Sequence, residues 1–459
     1  KSMRTIMAQN EDKYFTYFDT GQLIYRPWGY YEILSQEKGF RVKKVTVFPG
    51  KNISAHRHEH RSEHWSVVSG SARIILNDKE KEYGTNDSVY LEKGITHEVY
   101  NDGTQDLIIV EVGIGEKLAD NDTEVVHKDK SVNTGVSADS IVKLEPAFKD
   151  YLWGGMRLKS VYNKKCDYDV IAESWELSCH KDGQSVITGG EFNGKTLSDY
   201  IAAKGKGVLG KNCGRFEYFP VLIKLIDAKD NLSVQVHPSN EYALRVEGEY
   251  GKTEMWYIVD CDPGAELLYG FKHEISKEEF AERIANNTLL EVTNNVPVHK
   301  GDVFFIESGT LHAIGKGILI AEIQQNSNTT YRIYDYGRVG KDGKPRELHV
   351  EKAKEVTNLV PPKYPTTAQG APTAIEGGKE TLLRSCEYFN VNKLELDGTT
   401  KLTAGEGSFN SLLVLDGAFE IAAGSEKAAA KKGDSLFITA GTGEYTVTGK
   451  GTIILTDII

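Results

Sequence analysis

Three stretches of this chain can be laid over one another without a gap: DSVYLEKGITH from Asp87 to His97, DVFFIESGTLH from Asp302 to His312, and DSLFITAGTGE from Asp434 to Glu444. Each opens on Asp, reaches Gly seven residues later, and closes ten residues later on His, His and Glu respectively. Apolar residues fill the space between Asp and Gly, and a second apolar run follows each copy: DLIIVEV, GILIAEI and GTIILTDI. That order reads as a strand, a tight Gly turn and another strand. A strand pair recurring at such wide separation predicts three similar β-barrel units, because 459 residues exceed one ordinary core. The third copy has lost whatever the histidine does.

Polar stretches separate the copies. KLADNDTEVVHKDKSVNTGVSADS, Lys117 to Ser140, is nearly aperiodic, and PPKYPTTAQGAPTAIEGG, Pro361 to Gly378, holds four of the twelve prolines. These divide the chain into residues 1–130, 138–362 and 376–459. Helical patterns are confined to the middle segment, beginning at Thr196, at Ser239 with a Ser/Asn cap, and at Ser276 with a capping box. The expected class is mainly β, with a helical insert in the middle unit.

Composition narrows the function. A formal net charge of −11 leaves no surplus of Lys and Arg to neutralise phosphates in bulk, so neither nucleic acid nor a membrane surface is an expected partner. A small anionic substrate would still need a local basic pocket. Five cysteines without a C-x-x-C pair read as reduced thiols of a cytoplasmic protein. No apolar run has the length of a membrane span or the form of a signal peptide.

The chemistry lies in the histidines. SAHRHEHRSEHW, Ser54 to Trp65, carries four of the twelve. Residues two apart on a strand share a face, so His56 and His58 point to one interior, where Glu63 and His97 from neighbouring strands complete a set of ligands. Such donors suit Zn, Mn, Fe, Co or Ni, with positions left for water or substrate. The spacing from Gly50 to Gly70 resembles the first cupin motif at every position; Gly94, His97 and Asn101 resemble the second, with Glu92 where that motif usually has Pro. His60 and His64 fall outside the motif and are expected to be exposed or to support the ligands.

The middle unit repeats this plan with Gln235 and His237 two apart, then Glu254 and His312. Glu63 and Glu254 are each followed two residues later by Trp. In the third unit Asn410 and Glu444 occupy the positions of the carboxylate and the last histidine, and no histidine follows His349. That unit is expected to serve packing alone. The whole reading is of three cupin, or jelly-roll β-barrel, units.

The segments YLWGG, FPVLIKLIDAKDNLSVQVHP, GKTEMWYIVDC, VFFIESGTLHAIGKGILIAEIQQNSNTTYRIYDYGR and DGKPRELHVEKA make the portion from Val142 to Ile459 resemble the class I mannose-6-phosphate isomerases of bacteria. RPWGYYE, FRVKKVTVFPG, HRSEHWSVVSG and VEVGIGEKL make the portion from Tyr25 to Asp122 resemble the isomerase cupin of type II phosphomannose isomerases. In that family the cupin usually follows a nucleotidyltransferase domain, and no Gly-rich phosphate loop precedes it here. His56 stands where the family tends to have Gln, and Lys44 where it often has Arg.

The first resemblance implies one catalytic Zn2+ bound by Gln235, His237, Glu254 and His312, and interconversion of mannose 6-phosphate and fructose 6-phosphate. The second adds a divalent metal at His56, His58, Glu63 and His97. Moving a proton between C1 and C2 of a phosphosugar needs an electrophile, an acid/base group and a phosphate clamp. Lys252 shares the face of Glu254 if its segment is already a strand, and Ser233 shares that of Gln235 and His237. Arg332 resembles the family's active-site arginine, which steadies an enediolate; Ser233, Lys224 and Arg338 resemble its phosphate contacts. Trp153 and Glu176 line the pocket or pack the core. Which residue is the base stays open. The expected enzyme is a zinc-dependent mannose-6-phosphate isomerase with its catalytic centre in the middle unit. The N-terminal unit is alternatively a second phosphosugar isomerase centre or a non-catalytic sugar-binding or regulatory module. An oxygen-using cupin enzyme is the outsider.

Overall fold

The computed structural model describes residues 19–118, 122–126, 140–340 and 342–459. Most of the stretch read as a linker, 117–140, lies outside them. The chain is mainly β, as the repeat predicts, with 49% strand and 11% helix. It forms two compact units, Lys1–Lys130 with Gly214–Glu217, and Ser131–Cys213 with Tyr218–Ile459.

In the N-terminal unit a six-stranded antiparallel sheet runs in the order Leu23–Arg26, Gly29–Glu37, Phe40–Val47, Leu107–Gly115, Arg61–Ser69, Ser88–Leu91. A five-stranded sheet contains Asn52–His58 beside His97–Tyr100. One apolar cluster takes Ile33, Val47, Trp65 and Leu107 from the first sheet and Ala72, Ile74 and Val99 from the second. Alternation along each strand supplies that inner face.

The larger unit contains the same order again: Val221–Ala228, Ile318–Gln325, Glu254–Cys261 and Val303–Ile306 lie side by side in a six-stranded sheet. Val234–Val236 and His312–Ala313 are neighbours in a five-stranded one. Here Val221–Ala228 and Ile318–Gln325 are buried throughout, which explains their apolar runs. The C-terminal residues, with Ile141–Glu145 and Val186–Thr188, form a nine-stranded sheet in which Asn390–Ala404, Asn410–Ala423 and Gly443–Asp457 are long strands.

The repeated motif has one structural meaning in all three places. Its Asp accepts a hydrogen bond from the backbone N–H three residues earlier: Asp87 from Gly84 (2.8 Å), Asp302 from His299 (2.8 Å) and Asp434 from Lys431 (2.9 Å). The same Asp carbonyl then accepts from Val67, Ile258 or Val414. Its Gly has positive φ in every copy, +78° at Gly94, +87° at Gly309 and +81° at Gly441, a conformation that side chains with a Cβ resist. The register that follows pairs Glu63 with Leu91, Glu254 with Ile306 and Asn410 with Ile438.

The helical insert forms where the caps stand. Thr196 and Asp199 make a reciprocal capping box at Leu197–Lys204, and Ser239 caps Asn240–Val246. At Lys277–Ala285, Ser276 accepts from the Glu279 N–H, but the Glu279 carboxylate turns to Arg283 at 2.7 Å instead of closing the box.

Segments 138–362 and 376–459 are not separate bodies. Ile141–Glu145 pairs with Ser435–Ile438, in the register Ile141 to Ile438, inside the C-terminal sheet. Strand pairing between distant segments leaves no local trace in composition, so the proline-rich stretch marks a connection inside one unit. Truncation after Pro362 should therefore leave Ile141–Glu145 as an unpaired apolar edge and give an aggregating protein without a cooperative melt. A chain starting at Ser137 keeps every pairing of the unit and should melt cooperatively. Circular dichroism melts with sedimentation analysis distinguish the two outcomes.

Two candidate metal centres

The middle centre is assembled by three strands. Gln235 lies opposite His312, and Glu254 comes from the other sheet. The ligand atoms of His237, Glu254 and His312 lie within 4.8 Å of one another, and all three residues are buried. His237 Nε2 stands 3.1 Å from Glu254 Oε1, and His312 Nε2 3.9 Å from Glu254 Oε2. The outer nitrogens are committed: His237 Nδ1 contacts the Thr329 carbonyl at 3.0 Å and His312 Nδ1 that of Thr310 at 2.8 Å. This fixes Nε2 toward the centre on both rings. His237 Nε2 is buried there without a hydrogen-bond partner, as a metal ligand should be. Gln235 Nε2 is 3.5 Å from His312 Nε2 while its Oε1 accepts from Ser233 Oγ at 3.1 Å. Exchanging the amide's near-identical O and N would present oxygen to the same point.

Burial raises the pKa of the Glu254 carboxyl, but Lys252 and His237 outweigh it and hold it well below the ordinary value. Lys252 precedes the strand, which begins at Glu254, yet its Nζ still reaches Oε1 at 2.8 Å. Trp256 Nε1 donates to Glu254 at 3.0 Å and to Glu322 at 2.9 Å. Glu322 is pushed up to about 7, by burial first and then by Glu254.

The N-terminal centre has the same frame. His56, His58 and His97 converge within 4.8 Å, and His97 Nε2 is buried without a hydrogen-bond partner. Glu63 stands beside them, 3.2 Å from His58 and 3.8 Å from His97. Its oxygens are engaged by Arg61 Nε (2.9 Å) and Trp65 Nε1 (3.1 Å), and Arg61 Nη2 lies 3.2 Å from His58 Nε2. Arg61 thus occupies the place that Lys252 has in the middle unit, two residues before the carboxylate. His60 contacts Asp122 at 2.7 Å, and His64 is exposed against the Tyr90 ring.

Behind each centre runs a layer that the motifs do not reveal. Lys43 pairs with Glu111, which lies opposite Trp65; Lys224 pairs with Glu322, which lies opposite Trp256. The ion pairs measure 3.0 and 3.4 Å. The signal was present in the apolar runs after the repeat, DLIIVEV and GILIAEI, where Glu interrupts at the same offset. In the third unit the corresponding residues are Asn392, Leu455 and Leu412. Asn410 there donates to the Tyr445 hydroxyl at 2.9 Å, and Glu444 is an exposed partner of Lys401.

Arg332 lies opposite Gln235 and donates through Nε to Ser233 Oγ at 3.3 Å. Arg338 is bound to Asp335 at 2.5 Å. Lys224 is buried, 3.4 Å from both Glu173 and Glu322. Trp153 is packed in the core, and Glu176 is tied to Lys164 at 2.7 Å.

Comparison with known proteins bears on these centres. Residues 141–257 match the family described as the catalytic domain of type I phosphomannose isomerase. Residues 379–458 match the cupin domain of mannose-6-phosphate isomerase, and residues 14–128 match the family described as its C-terminal domain. The chain is 39% identical over 315 residues to the mannose-6-phosphate isomerase ManA of Bacillus subtilis, spanning 68% of this chain and 98% of that one. It is 39% identical over 287 residues to the mannose-6-phosphate isomerase of Streptococcus mutans, 62% of this chain and 88% of that one. A stretch of 99 residues is 41% identical to the mannose-1-phosphate guanylyltransferase ManC of Salmonella typhimurium, 22% of this chain and 21% of that protein. The crystal structure of the Bacillus subtilis mannose 6-phosphate isomerase superposes with a TM-score of 0.64 at 34% identity, over 69% of this chain and 99% of that one.

Burial makes the metal-free protein sensitive to acid. His56 is lowered to about 3, by burial and then by His97; His237 is lowered to about 3, by burial and then by Lys252. Unfolded, both titrate near 6.5. Between those values the unfolded chain binds more protons, so stability is full above 6.5 and falls as pH drops toward 3. Well inside the window the loss should be on the order of 1 kcal/mol per pH unit per histidine. Urea titrations of chelated protein at pH 7.5 and 5 should show the lower midpoint at pH 5, with a shallower dependence for His237→Gln.

Proposed function

The chain belongs to the mannose-6-phosphate isomerases, and from that premise we propose that its aldose–ketose isomerisation takes place at the middle centre, with a zinc ion held by Gln235, His237, Glu254 and His312. The observation that carries this reading is the continuous chain of contacts from the ligands through Ser233 to Arg332, all in one unit.

Three nitrogen or amide ligands and one carboxylate suit zinc, and the ion when bound supplies an electrophile beside the sugar. Everything else is done by the chain. Arg332 is proposed to steady the negative charge of an enediolate, which exists only between substrate and product. Lys252, held beside Glu254, is proposed as the cationic group that manages proton transfer at the same face. Ser233 and Arg338 are proposed to hold the phosphate. Lys224, whose charge is shared with two carboxylates, would act through its field from behind.

A second reading, in which the N-terminal centre also isomerises a phosphosugar, is favoured by one observation: its Arg61, Trp65, Glu111 and Lys43 reproduce the positions of Lys252, Trp256, Glu322 and Lys224. A cytoplasmic location is proposed from five free thiols; among the described residues no helix is long and apolar enough to cross a membrane.

Elemental analysis of the purified full chain should find zinc, with two ions per polypeptide if both centres are filled. Chelation should abolish isomerisation and added zinc restore it. Glu254→Ala should lower kcat/KM for mannose 6-phosphate by roughly a thousandfold or more, while Glu63→Ala should leave most activity. The reverse pattern would assign catalysis to the N-terminal centre. Arg332→Ala should lower kcat about a hundredfold and change KM far less, the mark of an interaction made in the transition state. Steady-state kinetics on the three variants decides.

A further inference from the structure

Three arginines meet beyond Ser233 with one carboxylate among them. Asp335, whose side chain is 6% exposed, receives a two-pronged contact from Arg346, Nε to Oδ2 at 2.8 Å and Nη2 to Oδ1 at 2.7 Å. It also receives Arg338 Nη2 at 2.5 Å. Arg332 stands close enough that Arg346 is the strongest charge acting on it; burial first, and then Arg346, lowers the pKa of Arg332. One carboxylate cannot balance three guanidinium groups. A partly buried cluster left positive in this way is arranged for an anion.

The hydrogen bonds show which arginine has capacity left. Arg338 is held at three atoms, with Nε on the Asp335 carbonyl, Nη1 on the Asn231 carbonyl and Nη2 on the Asp335 carboxylate, which leaves it one further N–H on each Nη. Arg332 uses Nε on Ser233 and Nη1 on the Glu347 carbonyl. Arg346 spends Nε and Nη2 on Asp335 and keeps Nη1 without a partner among the described residues. Its side chain remains 24% exposed, so a ligand can reach it. A guanidinium locked along one edge offers the rest of its donors in a fixed direction, which is how arginine reads a phosphate group.

We propose that Arg346 is a phosphate-binding residue of this isomerase and that Asp335 is the positioning residue that aims it, together with Arg338, at the phosphate dianion of the sugar. The inference rests on the reading of the middle centre as the isomerase site. It adds a phosphate contact beside Ser233 and Arg338, and it gives the lone acid in a basic cluster a task. Asp335 orients the guanidinium groups and keeps them from repelling one another out of the pocket.

The test uses the full chain, with inorganic phosphate as the probe. Arg346→Gln removes the charge and keeps an amide donor near Asp335. It should raise both the KM for mannose 6-phosphate and the inhibition constant of inorganic phosphate at least about tenfold, with kcat within about threefold of the unsubstituted enzyme. Arg346→Lys, which retains the charge without the fork, should fall between the two and serves if the glutamine variant does not fold. Asp335→Asn separates positioning from charge. If Asp335 acted only by its charge, removing it would make phosphate bind more tightly. A positioning role requires phosphate to bind several-fold more weakly. Unchanged phosphate constants in the Arg346 variants, or tighter phosphate binding in Asp335→Asn, would overturn the proposal. Thermal stabilisation by inorganic phosphate is measured alongside. Should the unsubstituted chain fail to isomerise the sugar yet be stabilised by phosphate in an Arg346-dependent way, the catalytic reading falls and the anion site stands.

Discussion

Everything at the two candidate metal centres hangs on the turn in which an aspartate carboxylate accepts the N–H three residues before it. That bond sets where the next strand begins, and the strand's register places Glu63 and Glu254 opposite Leu91 and Ile306. A slip of one residue would turn each carboxylate to the other face of its sheet, away from the histidines. The left-handed glycine seven residues after the aspartate then bends the chain so that the final histidine enters the second sheet. Two short devices, a side-chain-capped turn and a glycine turn, thereby bring ligands from both sheets to one point.

The third unit keeps these devices and discards the chemistry, which separates the scaffold from the site. Its Asp434 turn and Gly441 conformation match the others, so the fold does not depend on a metal. What has gone is a complete set. Asn410 and Glu444 replace the ligands, while Asn392, Leu455 and Leu412 replace the lysine, glutamate and tryptophan behind them. Retaining one member of a buried ion pair without its partner would leave an uncompensated charge, at a cost of roughly 3–5 kcal/mol. Replacement of the layer as a whole by uncharged residues avoids that cost. The comparison also assigns a job to the layer where it survives: it holds the ligand carboxylate through the indole N–H and surrounds it with matched charge.

How much of this was legible in the sequence depended on whether partners are near one another in the chain. His56 with His58, and Gln235 with His237, could be read because strand alternation is a local rule. Lys252 reaches Glu254 although the strand starts two residues later, since a long side chain bridges the difference. Glu111 and Glu322 were overlooked because an isolated glutamate in an apolar run resembles an edge residue until its cross-strand lysine is known. Arg61 was passed over for the same reason, lying among more conspicuous histidines. The cluster at Asp335 emerges only when Arg332, on a strand, is seen together with Arg338 and Arg346 beyond its end. No periodicity announces that Ile141–Glu145 belongs with Ser435–Ile438, for strand pairing over such a distance is decided by tertiary packing.

That last pairing has a consequence in time. A ribosome releases Ile141–Glu145 early, while its partner strand Ser435–Ile438 comes near the end of the chain. Throughout the synthesis of the strands between them, Ile141–Glu145 can pair on one side with Val186–Thr188 while its other edge stays open. That edge is closed only once Ser435–Ile438 has emerged, and contacts of such sequence separation form slowly. The N-terminal unit draws most of its strands from one continuous stretch and faces no comparable delay. Birth order thus divides the molecule into a part that can mature early and a part that must wait for a distant strand.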